Sequence, residues 1–216
     1  MSRLSQLSSK PTRSAQGALI RVLKYLRVTA NFSVEQRATG NKVEYYSDSD
    51  HAGDYPHTTK SQTGTMIVLN GAPVFWSSKK QTESTAYSSA MAEIYALSET
   101  ARAVRLFGFR AEGLGMQLTW PAHIQVDNDQ VRSFVHGSCM NSRIRGCVDM
   151  RLQWIREIRD QAGTGQIKIV HVSSKFNKAD ILTKCMPAWK FTNLLSYING
   201  NQGDRQYAQF IQQVGF

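Results

Sequence analysis

The sequence predicts an α/β domain on a five-stranded mixed sheet, three antiparallel strands followed by two parallel ones, with helices on both faces. Three observations predict it. Val43, Tyr45 and Ser47 alternate with Glu44, Tyr46 and Asp48, and two further strand-like runs follow, separated by Asn70-Gly71, a pair that favours a two-residue hairpin turn. Helical periodicity then takes over beyond Ser88. Last, two short apolar runs are regained after helical sequence, and strands reached in that way lie parallel in one sheet.

Composition sets the bounds. The chain has 216 residues, 41% of them hydrophobic, enough for one sizeable core and too few for several. Lys and Arg number 26 against 16 Asp and Glu, a formal charge of +10 with only 19% of residues charged, which excludes an acidic disordered protein. Uninterrupted apolar stretches such as Met66 to Leu69 fall far short of the roughly 20 residues that cross a bilayer, so no membrane partner is expected. Cys139, Cys147 and Cys185 are an odd count, which points to a reducing, intracellular compartment rather than a disulfide framework.

Residues 1–41 form a basic segment, and the first 42 residues carry seven of the ten excess positive charges. Ala18, Leu19, Val22, Leu23 and Leu26 recur at helical spacing with Arg21, Lys24 and Arg27 on other faces, an amphipathic helix that docks by its apolar side and turns its basic face to nucleic acid or simply to water. An organelle transit peptide is the other reading of such a start. Residues 42–187 form the domain proper. A strand from Val43 to Asp48 runs into the polar loop Ser49 to Lys60; Thr63 to Leu69 and Pro73 to Ser77 complete a meander around the turn. Ser88 or Ser89 caps a helix through Leu106 whose Met91, Tyr95, Ala101 and Val104 share a stripe, with Gly113 and Gly115 beyond its end. His123 to Val126 is the first crossover strand, ending at Asp127-Asn128. A helix from Asp149 to Gln161, a strand from Gln166 to Val172 and a helix beginning near Asn177 finish the domain. Residues 188–216 are a C-terminal extension, aromatic but weakly periodic, with a mobile link from Gly200 to Gln206 before a short last helix.

Four acids fall where this topology gathers them: Asp48 at the end of the first strand, Glu93 in the first turns of the long helix, Asp127 at the end of the crossover strand and Asp180 at the start of a late helix. Carboxyl ends of parallel strands share one rim, where catalytic groups collect. Carboxylates crowded together repel unless a cation compensates, so the cluster implies a hard divalent ion, naturally Mg²⁺. Two such ions about 3.5–4 Å apart activate water and stabilise a leaving oxygen in phosphodiester hydrolysis.

The residues resemble a known family at this point. Tyr46 to Asp54 (YSDSDHAGD), Trp76 to Gln81 (WSSKKQ), Ser88 to Leu97 (SSAMAEIYAL), Val126-Asp127-Asn128 and Ala179 to Lys184 (ADILTK) are similar to successive blocks of the ribonuclease H domain of copia-like (Pseudoviridae) LTR retrotransposon polyproteins. Lys10-Pro11-Thr12 with Arg21 to Leu26 resembles the connection segment that joins reverse transcriptase to ribonuclease H, which displaces the transit-peptide reading. The resemblance implies a ribonuclease H-like fold and endonucleolytic hydrolysis of the RNA strand of RNA/DNA hybrids during reverse transcription, with two Mg²⁺ ions, or Mn²⁺ in their place, on Asp48, Glu93, Asp127 and Asp180. It further implies the polymerase portion as a partner, and a cytoplasmic virus-like particle with nuclear access as the setting. Two departures stand out. No His-containing loop precedes Asp180, and Ser142 to Arg151 lacks the His of the Lys-His-Ile-Asp pattern common in the family.

A hybrid is recognised through 2′-hydroxyls and phosphates. Lys79, Lys80, Arg143, Arg145 and Lys175 are the candidate phosphate clamps, and Ser88, Ser89 and Asn128 the uncharged contacts. Trp76 is expected in the core and His171 as a partly buried sheet residue. His136 and Cys139, with Cys147 and Cys185, lack the second close pair of a structural zinc site, and no phosphate-binding Gly-x4-Gly-Lys-Ser/Thr loop occurs. The alternative is a catalytically inactive retrotransposon-derived module that binds nucleic acid or polymerase. A transposase or integrase of related fold would place its catalytic Glu last rather than between aspartates.

Overall fold

Strands β1 (Val43–Asp50) and β2 (Gln62–Leu69) pair antiparallel from Val43 opposite Leu69 to Asp50 opposite Gln62. Asn70 and Gly71 both adopt positive φ, 50° and 84°, the conformation a tight primed turn demands, and return the chain as β3 (Ala72–Lys80). The computed structural model describes residues 4–5, 7–30, 34, 40–53, 59–82, 88–137 and 145–198. Its helices are α1 (Arg13–Val28), α2 (Ser89–Gly113), α3 (Asp129–His136), α4 (Arg145–Asp160), α5 (Asp180–Thr183) and α6 (Ala188–Ile198). Strands β4 (Ala122–Val126) and β5 (Ile167–His171) add in parallel beside β1, giving the order β3-β2-β1-β4-β5. Three antiparallel strands followed by two parallel ones in this order are the ribonuclease H-like fold.

Both sheet faces are covered, which is why β2 is buried along almost its whole length. Ile67 faces a core shared with Ile94, Leu97 and Val104 of α2, Ile124 of β4 and Leu152, Ile155 and Ile158 of α4. Its neighbours Met66 and Val68 alternate to the opposite face and join Tyr46, Ala179 and Ile198 of α6. Each fully buried Ile or Leu contributes roughly 1.5–3 kcal/mol. The larger core lies under α2, so that helix is fixed firmly where it meets the sheet rim.

Several elements differ from the sequence-based expectations. Helix α2 runs on to Gly113 as its last residue, because Gly108 packs close against Trp120 and the buried Ala111 keeps the helix on the core. Helix α3 is an addition. Its signals were present: Asn128 caps it by accepting from Gln130 N and Val131 N, and Gly137 ends it at φ 93°. The helix expected near Asn177 is a single turn, α5, while the weakly periodic sequence after Pro187 forms α6. Trp76 is 60% exposed rather than core, since β3 is an edge strand. Helix α1 forms with Thr12 as its cap, Oγ1 accepting from Ala15 N at 3.1 Å. It buries none of its residues and leaves Leu19, Ile20, Leu23 and Leu26 exposed. The link and last helix expected after Gly200 lie outside the described residues.

Candidate metal centre

Parallel pairing of β1 with β4 puts Tyr45 level with Ile124 and Tyr46 with Gln125. Carried two residues further, the same register sets Asp48 level with Asp127. Glu93 comes from above, in the early turns of α2, whose start is fixed by Ser88 Oγ accepting from Met91 N at 3.3 Å. One oxygen from each of Asp48, Glu93 and Asp127 lies within 4.8 Å of the others. Asp48 is fully buried, Glu93 is buried and Asp127 half-buried. Hard carboxylate oxygens in this arrangement suit Mg²⁺ or Mn²⁺.

Asp180 is buried beside this set but stands outside it. The segment from Asn177 to Lys184 is tied to the sheet at several points. Asn177 Nδ2 donates to Ser47 O at 3.1 Å, Lys178 Nζ pairs with Glu44 at 3.0 Å, and Ser78 Oγ donates to Leu182 O at 2.6 Å. Thr183 Oγ1 donates to Asp48 Oδ2. Lys184 Nζ then bridges Asp48 Oδ1 and Asp180 Oδ1, at 2.8 Å from each, and Lys190 Nζ reaches Asp180 Oδ2 at 2.7 Å. Lys190 and Thr183 are the site residues that sequence reasoning missed. Lys190 lies beyond Pro187 at a spacing no helix encodes, whereas Lys184 stands four residues after Asp180, an ordinary helical pairing distance.

The electrostatics follow from this crowding. Burial, then the negative charges of Asp48 and Asp127, push Glu93 up to about 9. Burial also raises Asp48, and Asp180 adds to the rise while Lys184 opposes it. Burial alone would lower Lys184, but Asp48 and Asp180 hold it firmly charged. Between its ordinary value of 4.5 and about 9, Glu93 in the folded chain keeps a proton that the unfolded chain releases. Stability of the metal-free chain is therefore expected to fall as pH rises across that window. Thermal melts in chelator between about pH 5 and 9 should show a declining Tm, flattened in Glu93→Gln. An unchanged slope in that variant would count against the assignment.

The remaining candidates take various positions. Lys79 and Lys80 end β3 opposite Thr63 and Gln62, on the rim where β1 also ends. Ser88 and Asn128 are helix caps, and Ser89 and Lys175 are exposed. Arg145 opens α4, its side chain outside the described residues, as is Arg143 altogether. His171 is exposed rather than partly buried, its Nδ1 3.3 Å from Asp129 Oδ1, because β5 is an edge strand. Cys185 is an exposed free thiol, while Cys139 and the side chain of Cys147 lie outside the described residues. No helix among the described residues is long and apolar enough to cross a membrane.

Fold and rim together define a ribonuclease H-like domain with an acidic triad on the carboxyl edge of its sheet. The chain belongs with the retrovirus-related Pol polyproteins of copia-type transposons, its homologues over about nine-tenths of its length. It is 33% identical over 201 residues to the Pol polyprotein from transposon RE1 of Arabidopsis thaliana, covering 92% of this chain and 13% of that protein. It is 28% identical over 188 residues to that of transposon TNT 1-94 of Nicotiana tabacum, covering 87% of this chain and 14% of that protein. The chain thus spans about an eighth to a seventh of these relatives. Identity reaches 44% over 97 residues with secreted RxLR effector protein 161 of Plasmopara viticola, 44% of this chain and 67% of that one. No family model matches. Among solved structures, LC11-RNase H1, isolated from compost, aligns at a TM-score of 0.49 and 20% identity over 66% of this chain and 93% of its own. RNase H1 from Halobacterium salinarum NRC-1 aligns at 0.46 and 20%, over 65% and 93%.

Proposed function

We propose that this chain cuts the RNA strand of RNA/DNA hybrids endonucleolytically, using divalent metal held by Asp48, Glu93 and Asp127. The observation that carries the reading is the approach of these three carboxylates to within 4.8 Å on the carboxyl rim, a repulsive grouping that a bound cation relieves. Two Mg²⁺ ions, or Mn²⁺ in their place, supply an activated water and neutralise charge developing on the phosphate. Asp48 and Asp127 hold metal from adjacent strands, Glu93 holds it from α2 and aligns substrate, and Asp180 serves the second ion.

Lys79, Lys80, Arg143, Arg145 and Lys175 act as phosphate clamps. Capping occupies the acceptor oxygens of Ser88 and Asn128, leaving a hydroxyl proton and an amide N–H to donate, with Ser89, to ribose 2′-hydroxyls. The kinship with retrovirus-related polyproteins supports the choice of hybrid, because copying RNA into DNA leaves the template RNA paired with its product. The polymerase portion is then the partner of the basic segment 1–41, residues 42–187 are the catalytic unit with 188–216 its extension, and the setting is intracellular, in a cytoplasmic particle with access to the nucleus.

An end-labelled hybrid, duplex DNA and duplex RNA incubated with the chain at low salt in Mg²⁺ or Mn²⁺ test the reading. Only the RNA of the hybrid is expected to be cut, leaving 3′-hydroxyl and 5′-phosphate ends. Binding of the hybrid without cutting under either metal would replace the enzyme with a binding module.

A further inference from the structure

The Asp48–Asp180 side of the acidic site contains its own cation. Lys184 Nζ sits 2.8 Å from an oxygen of each carboxylate. The second oxygen of Asp48 accepts from Thr183 and that of Asp180 from Lys190 at 2.7 Å. All four oxygens are therefore engaged, in a pocket where both aspartates are at most 1% exposed. The other side differs: among the described residues no lysine or arginine nitrogen forms an ion pair with Glu93 or Asp127. One buried aspartate, Asp48, is common to both sides.

An ion bound to Asp48 Oδ1 and Asp180 Oδ1 together, at the roughly 2.0–2.1 Å that Mg²⁺ demands, would fill the volume that the ammonium fills now. Ion and ammonium exclude each other by size as well as charge. Removing the ammonium breaks two charge-assisted hydrogen bonds in a low-dielectric setting, the stronger class of such bonds. Lys190 would stay on Asp180, so the aspartate facing an incoming ion is already half neutralised.

We propose that Lys184 is a resident cation that closes the Asp48–Asp180 side, so that the chain without nucleic acid takes one divalent ion, at Asp48, Glu93 and Asp127, rather than two. In that state Lys184 is shared between Asp48 and Asp180, and neither Lys184 nor Asp180 takes part in the three-carboxylate site. The inference rests on the metal reading above and refines it, since a second ion enters only when the amine has left.

Manganese binding to the full chain in the absence of nucleic acid tests it, followed by titration calorimetry and by loss of the free Mn²⁺ resonance signal. Wild type is expected to bind a single ion. Lys184→Gln is expected to take a second, at least about tenfold tighter than any second binding to wild type, while Lys168→Gln, an exposed lysine of β5, keeps the count at one. Asp180→Asn is expected to hold its one ion within about threefold of the wild-type affinity. Two ions of similar affinity in wild type, an unchanged count in Lys184→Gln, or a tenfold or greater loss in Asp180→Asn each overturn the proposal and leave the three-carboxylate site standing. No ion in any chain overturns both.

Discussion

Asp48→Asn is expected to lower the rate of hybrid cleavage by about a thousandfold or more, roughly 4 kcal/mol of barrier, while the chain stays folded. Asp48 is the carboxylate that joins the two sides of the site: it belongs to the three-acid set and also accepts from Thr183 and Lys184. Asparagine keeps the shape and one acceptor oxygen but removes the charge that draws metal. Stability should respond far less. Burial raises Asp48 while Lys184 opposes the rise, so the neutral amide relieves a desolvation cost but leaves Lys184 with Asp180 as its remaining charged partner. In chelator the variant is expected to keep a cooperative melt, and the stabilisation that wild type gains from added Mg²⁺ should be absent. A variant that loses activity together with its cooperative melt would mean a structural role instead.

That separation bears on what could be read from the chain before its structure. Asp48, Glu93 and Asp127 were legible because each sits near the end of an element that the sequence marks clearly. Alternation in β1, the stripe of α2 and the short apolar β4 place them on one rim by topology alone. The partners of Asp180 were not legible. Lys190 reaches it only because α6 packs back on the sheet, where Ile198 joins Tyr46, Met66 and Val68, a tertiary placement that no spacing in the sequence encodes. Trp76 misled for a related reason. An aromatic residue in a strand reads as core when the strand's place in the sheet is unknown, and β3 turned out to be an edge. Helix α3 is the opposite case: its cap at Asn128 and its stop at Gly137 both stand in the sequence, with only eight residues between them.

Gly64→Ala should strike the same site from behind. Gly64 lies opposite Asp48 across the β1–β2 ladder, and α5 rests on it. An added Cβ would stand 2.6 Å from Thr183 Cγ2, 2.9 Å from Ala179 O and 3.2 Å from Leu182 Cβ. Two of these atoms belong to the backbone or its first side-chain carbon, so no rotamer change removes the clash and α5 must lift. Overpacking of this kind costs about 1–3 kcal/mol. The lift also carries Asp180, the first residue of α5, away from Asp48, so cleavage should fall by about tenfold or more although no carboxylate has been substituted. Gly113→Ala is the control: its Cβ meets nothing within 4 Å at the end of α2, and alanine there should leave stability unchanged or raise it by up to about 1 kcal/mol. Denaturant melts of both variants, set beside their cleavage rates, check the argument. If Gly64→Ala matches Gly113→Ala in both measurements, α5 does not rest on β2 as closely as its contacts with Gly64 require.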